Sequence, residues 1–136
     1  MASFNKINSL VEALAHKKHD LETDQIVVAL TAAANAPIAT NDVLADLTEI
    51  TYTNLSSRNV TTSSSAETGG TYTLALTDLV LTASGGPVGP FRYVVLYNDT
   101  AANDELIGWY DYGSEVTLAD GETFTCDFAA STITIA

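Results

Sequence analysis

FRYVVLYN (residues 91–98) and ELIGWYDY (residues 105–112) decide the fold of this chain of 136 residues. The first run is apolar on both faces except at Arg92, the pattern of a strand covered on two sides. A loop of six residues, DTAAND (99–104), leads into the second run, so the pair reads as a β-hairpin. In a strand successive side chains alternate, which sends Tyr110 and Tyr112 one way and Trp109 the other. Stretches rich in β-branched and aromatic residues suit a pleated surface, and the chain carries 19 threonines.

Upstream of this hairpin, GGPVGP (85–90) is a hard break. Before it, residues 71–77 (TYTLALT) place Tyr72, Leu74 and Leu76 on one face, and a strand over 79–83 follows. Glu67-Thr-Gly-Gly70 is a hairpin-type turn. Residues 48–53 and 59–64 read as weak, polar edge strands. Residues 33–46, with Asn35, Pro37, Asn41 and Asp42, read as a long loop. Residues 25–32 (QIVVALTA) alternate, with Ile26, Val28 and Leu30 on one face. Downstream, strands are predicted at 116–118, 123–128 and 132–136, with Asp120-Gly121 as a turn. Eight to nine short strands behind one helix predict an all-β fold: an antiparallel β-sandwich, jelly-roll-like, with one N-terminal amphipathic helix. An immunoglobulin-like sandwich has the same strand pattern, but its Cys…Trp…Cys signature is absent.

The helix is predicted within residues 1–22. Phe4, Ile7, Leu10, Val11 and Leu14 recur at spacings of three and four, with Ser3 as the N-cap and Lys17 and Lys18 in the last turn. A lone helix of about 15 residues is marginal in water, so this stripe packs on its own body or on a partner. Two segments follow: a basic helical arm, 1–22, and an acidic β-sandwich domain, 23–136.

Charge divides slightly earlier, after residue 19. Residues 1–19 hold Lys6, Lys17 and Lys18 against Glu12, a net of +2, within a chain of formal charge −12. Residues 20–136 hold 16 acids against Arg58 and Arg92, a net of −14. Nucleic-acid binding through phosphates needs clustered Lys and Arg, so an acidic body argues against it. No run of 18 apolar residues is present, so no membrane helix is expected. The N-terminus lacks a signal-peptide core, and folding in the cytoplasm of the producing cell is expected.

Chemistry is sparse. There is no nucleophile elbow and no phosphate-binding loop. Cys126, the lone cysteine, alternates with Phe124 and Phe128 and is expected in the core. His16 and His19 stand three apart, as metal pairs do, but lack a third ligand and read as a surface helix end. Asp99 and Asp104, beside Asn98 and Asn103, could hold calcium, yet Asn and Asp are ordinary turn formers. Asp111 and Asp127 could form a hydrolytic carboxylate pair, but nothing aims them at one point. Tyr93, Tyr97, Trp109, Tyr110 and Tyr112 could stack on sugars, though packing is the better account of them. No enzymatic activity, cofactor or metal is expected.

The pieces GPFRYVVLYNDT (89–100) and ELIGWYDYGSEVTLADGETFTCDF (105–128) resemble a family of small virion structural proteins of tailed bacteriophages. So do Ser3-Phe-Asn-Lys-Ile-Asn8, a strand ending in Leu30-Thr31, and the Ala-rich loop 36–45. The order of the pieces matches from about residue 4 to 135.

The resemblance implies a virion component, in first place a head decoration (cement) protein that clamps neighbouring capsid subunits. It implies the major capsid protein as partner and a homo-oligomer, a trimer before a dimer. The docking residues would be Phe4, Lys6, Ile7, Leu10, Val11, Leu14, Lys17 and Lys18. Alternatives are a neck, tail or fibre-linked adaptor of the virion, or a carbohydrate- or calcium-binding module. On the docking reading the arm is separable, and removing residues 1–20 leaves a folded β-domain.

Overall fold

A computed structural model describes residues 2–128 and 132–136, among which lie ten β-strands and one α-helix. The hairpin comes first in importance. Strand β7 (Val88–Asn98) pairs antiparallel with β8 (Leu106–Leu118), as expected. At 11 and 13 residues they are longer than the short strands predicted, and residues 116–118 are the end of β8, not a strand of their own. β7 also pairs with β2 (Ile26–Thr31), so it is central. The edges are β1 (Phe4–Lys6), on β8, and β3 (Asn59–Val60), on β2, giving the order β1-β8-β7-β2-β3.

Two smaller antiparallel sheets complete the all-β fold. One has the order β10 (Ile133–Ile135), β5 (Thr71–Leu76), β4 (Thr62–Thr68). The other pairs β6 (Leu79–Thr82) with β9 (Thr123–Cys126). The β4–β5 connection is Gly69-Gly70, both at positive φ (60° and 89°), the left-handed pair that a two-residue hairpin turn demands. Leu74 and Leu76 of β5, Leu81 of β6, Cys126 of β9 and Ile133 of β10 share one core with Ile26, Val28 and Leu30 of β2. Phe91, Val94 and Leu96 of β7 and Ile107, Tyr110 and Leu118 of β8 close it from the large sheet. The sheets therefore pack face to face as a sandwich. Burial pushes the Cys126 thiol up to about 12, so it stays a neutral apolar filler.

Alternation in residues 25–32 predicts one buried face, yet every residue of β2 is buried. The other face carries Val27 and Ala29, which join Val95, Tyr97 and Leu106 in a second, smaller core. Leu44 and Leu47, from the loop predicted over 33–46 and just beyond it, cover that core together with Trp109. This loop is a lid over the sheet, pinned by Asp46, whose carboxylate accepts from the backbone N–H of Asp42 and Val43 (2.8 and 3.1 Å). Those two donors hold its carboxyl below the usual carboxylate range.

A bulge makes this two-sided packing possible. Leu96 pairs with Gly108 but Tyr97 with Leu106, so Ile107 is the extra residue. The phase of β8 changes there, and Ile107 and Tyr110 both enter the main core while Leu106 and Trp109 serve the other. A second irregularity lies where Tyr93 pairs with Asp111 and Phe91 with Val116. Arg92 forks onto Asp111 there (Nε to Oδ1 2.8 Å, a second guanidinium N–H to Oδ2 3.1 Å).

The strand predicted at 48–53 is not formed, and side-chain chemistry explains why. β3 covers only the Ile26–Val27 end of β2. Further along, the Val28 N–H donates to the Arg58 carbonyl (3.0 Å), and the Arg58 guanidinium donates to the Val28 carbonyl (2.7 Å). The Leu30 N–H donates to the Tyr52 hydroxyl (2.9 Å), and the Ile50 N–H donates to the Leu30 carbonyl (2.9 Å). The Tyr52 hydroxyl donates in turn to Glu49 (2.6 Å), and the Arg58 guanidinium lies over the Tyr52 ring, 3.7 Å from its centroid. Burial, then the bond to Glu49, drives the Tyr52 hydroxyl far above the ordinary phenol range. Two side chains thus do the work of a strand.

Tyr52→Phe leaves the buried Leu30 N–H without an acceptor. The expected loss is about 1–3 kcal/mol of folding stability, read by urea unfolding with an unchanged m-value. A loss below a few tenths would show that the hydroxyl is not needed at this edge.

Candidate partner-binding surface

The N-terminal segment departs most from expectation. It is not one helix: residues 4–6 form β1, and the helix α1 is Leu10–Ala15. The N-cap position is Ser9, not Ser3. Phe4, Asn5 and Lys6 pair with Tyr110, Trp109 and Gly108, and a strand on a sheet edge satisfies backbone groups that a short helix would leave to water. The spacing of three and four that suggests one stripe instead spans a strand, a turn and a helix.

The eight predicted docking residues therefore divide. Ile7 is fully buried in the smaller core, where its N–H donates to the Ile107 carbonyl (3.2 Å). Leu10 is buried in the main core, and half-buried Phe4 and Leu14 pack against it. The Phe4 ring lies 5.6 Å from that of Tyr110 and passes directly over Gly108. Lys6, Lys17, Lys18 and Val11 stay exposed, Val11 at 57%. Among the described residues the ion pair present is Arg92–Asp111, and none of these lysines forms one.

Lys17 and Lys18 lie beyond the helix, not in its last turn. The Lys17 N–H donates to the Leu14 carbonyl (3.2 Å) and the Lys18 N–H to that of Ala13 (2.9 Å). This is a Schellman stop, with Lys17 at φ 63° where glycine is usual. The stop turns the chain toward an open groove of about 420 Å³ lined by Leu14, Lys17, Leu21, Tyr72 and Ile135 among others.

The two histidines part company. His16 is exposed, as predicted for a helix end. His19 is 7% exposed and its Nδ1 meets the Asn98 side chain (3.0 Å) at the end of β7, so the surface assignment is corrected. Polar alternation at the chain's basic stretch gave no sign of this, because Asn98 is 79 residues away. In the 99–104 loop, Asn98 Oδ1 accepts from the N–H of Thr100 and Ala101 (3.0 and 3.1 Å), the turn-forming use of Asn. Among the described residues no group of three or more His, Cys, Asp or Glu side chains is arranged to hold a metal ion. Asp111 is engaged by Arg92 and by the Gly113 N–H, and it shares a depression with Asp127, Tyr112 and Ala2. Tyr110 and Tyr112 pack as rings in the main core, in line with a structural role for the hairpin aromatics.

Removing residues 1–20 is thus expected to destabilise the whole domain, not to free a separable arm. Burial of Ile7 and Leu10 is worth about 1.5–3 kcal/mol each. Gly108→Ala is the sharper test: its Cβ would overlap the Phe4 ring and fall 2.5 Å from the Asn5 carbonyl. A loss of about 1–3 kcal/mol is expected, relieved in part by Phe4→Ala in the same chain; strictly additive losses would show that the two do not touch. No protein-family model, curated protein or solved structure matches this chain.

Proposed function

We propose that this protein is a bacteriophage virion structural protein, a head decoration protein that binds neighbouring capsid subunits through the exposed part of its N-terminal segment. The observation that carries this reading is the state of the lysines. Lys6, Lys17 and Lys18 sit on a segment clasped to a body of net charge −14, yet none pairs with an acid of that body among the described residues. Cations held close to an acidic surface and left unpaired are ready for an acidic partner outside the chain. Val11, on the same segment, supplies exposed apolar area. Ile7 and Leu10 fix the segment's position, so the contact surface is pre-organised. The sandwich fold and the resemblance of the hairpin to small virion proteins support the same reading, and several weak contacts from an oligomer give avidity.

The test is attachment of the full-length protein to purified heads stripped of decoration. Saturation at hundreds of copies is expected, with sedimentation giving a trimer. Lys6→Ala, Lys17→Ala and Lys18→Ala combined should keep the fold by circular dichroism and weaken attachment about tenfold or more. Wild-type attachment should also weaken as salt shortens the Debye length from about 10 Å to about 3 Å. No binding to heads would end the decoration reading, and a ring of a few copies on particles would place the protein at the neck or tail. Binding indifferent to the lysines and to salt would remove the basic segment from the contact.

A further inference from the structure

The last residue of β7 ties the N-terminal segment to the sheet through a set of hydrogen bonds with no freedom left in it. Asn98 is fully buried. Its Oδ1 accepts from the backbone N–H of Thr100 and of Ala101 (3.0 and 3.1 Å). Its Nδ2 donates to Asp24 Oδ2 (2.7 Å) and is 3.0 Å from His19 Nδ1. Both acceptor positions of the amide oxygen are used by backbone donors, so the amide cannot be flipped. One Nδ2 hydrogen goes to the Asp24 carboxylate and the other to His19. His19 Nδ1 must therefore be the unprotonated, accepting nitrogen, and the ring proton of the neutral imidazole sits on Nε2.

That tautomer cannot accept a second proton in place. A proton on Nδ1 would set an N–H donor against an N–H donor at 3.0 Å. Rotating the amide away would abandon Asp24 and the two loop N–H groups together. Nε2 is itself buried and has no hydrogen-bond partner, so the charged ring gains no compensating bond there. The charged groups around His19 oppose one another: Glu105 at the base of β8 and Asp24 favour the imidazolium, and Lys18 disfavours it. Asp20, Glu22 and Lys17 line the same groove wall. Burial outweighs the acids and holds the imidazole below its ordinary range.

We propose that His19, Asn98 and Asp24 form a pH-sensitive latch, closed at neutral pH, whose opening on mild acidification releases the end of the N-terminal segment from the sheet. The sign follows from linkage. The closed state takes up fewer protons than the open state, so closure is complete above the ordinary histidine range and weakens as pH falls through it. Lys17 and Lys18 directly precede the latch, so its opening changes how the basic residues are presented. This inference does not rest on the proposed virion role and is testable without any partner.

The experiment is amide hydrogen exchange on the full-length protein at pH 7.5 and 5.5, corrected for intrinsic exchange. The reporters are the Ala13, His16 and Lys18 amides, which donate within and just after α1, against Val94 and Val95 in β7. With an open-state imidazole titrating near its usual value of about 6.5, opening at the N-terminal reporters should rise by up to about tenfold, with β7 unchanged. His19→Gln retains an acceptor without the ionisation and should abolish the pH effect. Independently, the 15N shifts of wild-type His19 at pH 7.5 should be those of an unprotonated Nδ1 and a protonated Nε2, and the ring should titrate below the usual histidine value of about 6.5. A pH-independent wild type, an equal rise throughout the sheets, a protonated Nδ1, or a His19 that titrates at or above about 6.5 would each overturn the latch.

Discussion

Burial of the β7–β8 hairpin on both of its faces is the constraint from which the rest of the molecule follows. A strand with apolar side chains on two sides cannot sit at a solvent-facing surface, so two separate coverings must be supplied. The smaller sheets cover one side, through Leu74, Leu81, Cys126 and Ile133. The loop after β2 and the start of the chain cover the other, through Leu44, Leu47 and Ile7. The bulge at Ile107 lets β8 serve both cores within a few residues. The N-terminal segment is consequently a structural part of the domain, and its buried Ile7 and Leu10 belong to two different cores.

The backbone of β2 illustrates how polar groups are satisfied where regular pairing stops. Beyond Val27 the strand has no regular partner on its outer edge, yet Val28 and Leu30 are bonded through Arg58, Ile50 and the Tyr52 hydroxyl. Edge strands left open invite other chains. An edge closed by an arginine stacked on a tyrosine offers no such template. Asn98 plays a similar part at the end of β7, since one side chain there bonds the next loop, Asp24 and His19 together.

The distribution of charge bears on function more than any single residue does. The acids are spread over the body, whereas the cations of the first 19 residues remain exposed and unpaired with acids among the described residues. On the proposed reading, these cations meet an acidic partner while the acidic body stays in solvent. The buried aromatics of the hairpin fit the same picture, being committed to packing and not displayed for a ligand.

The sequence alone determined the all-β class, the central hairpin, the Gly69-Gly70 turn, the core position of Cys126 and the opposite directions of Trp109 and Tyr110. These are local properties: period-two alternation, turn chemistry and β-branched content act within a few residues. Only the tertiary structure decided that residues 4–6 form a strand, since Phe4 pairs with Tyr110 across more than a hundred positions and the local spacing fits a helix equally well. Residues 48–53 are shaped by contacts to β2 that replace strand pairing with side chains, which no periodicity encodes. His19 was legible as an exposed helix end because its own neighbours are charged, and it is buried because Asn98 and Glu105 approach from the far hairpin. Period and propensity report a segment's own preferences, whereas burial and hydrogen-bond partners depend on which distant segment arrives, and that is settled by the packing of the whole chain.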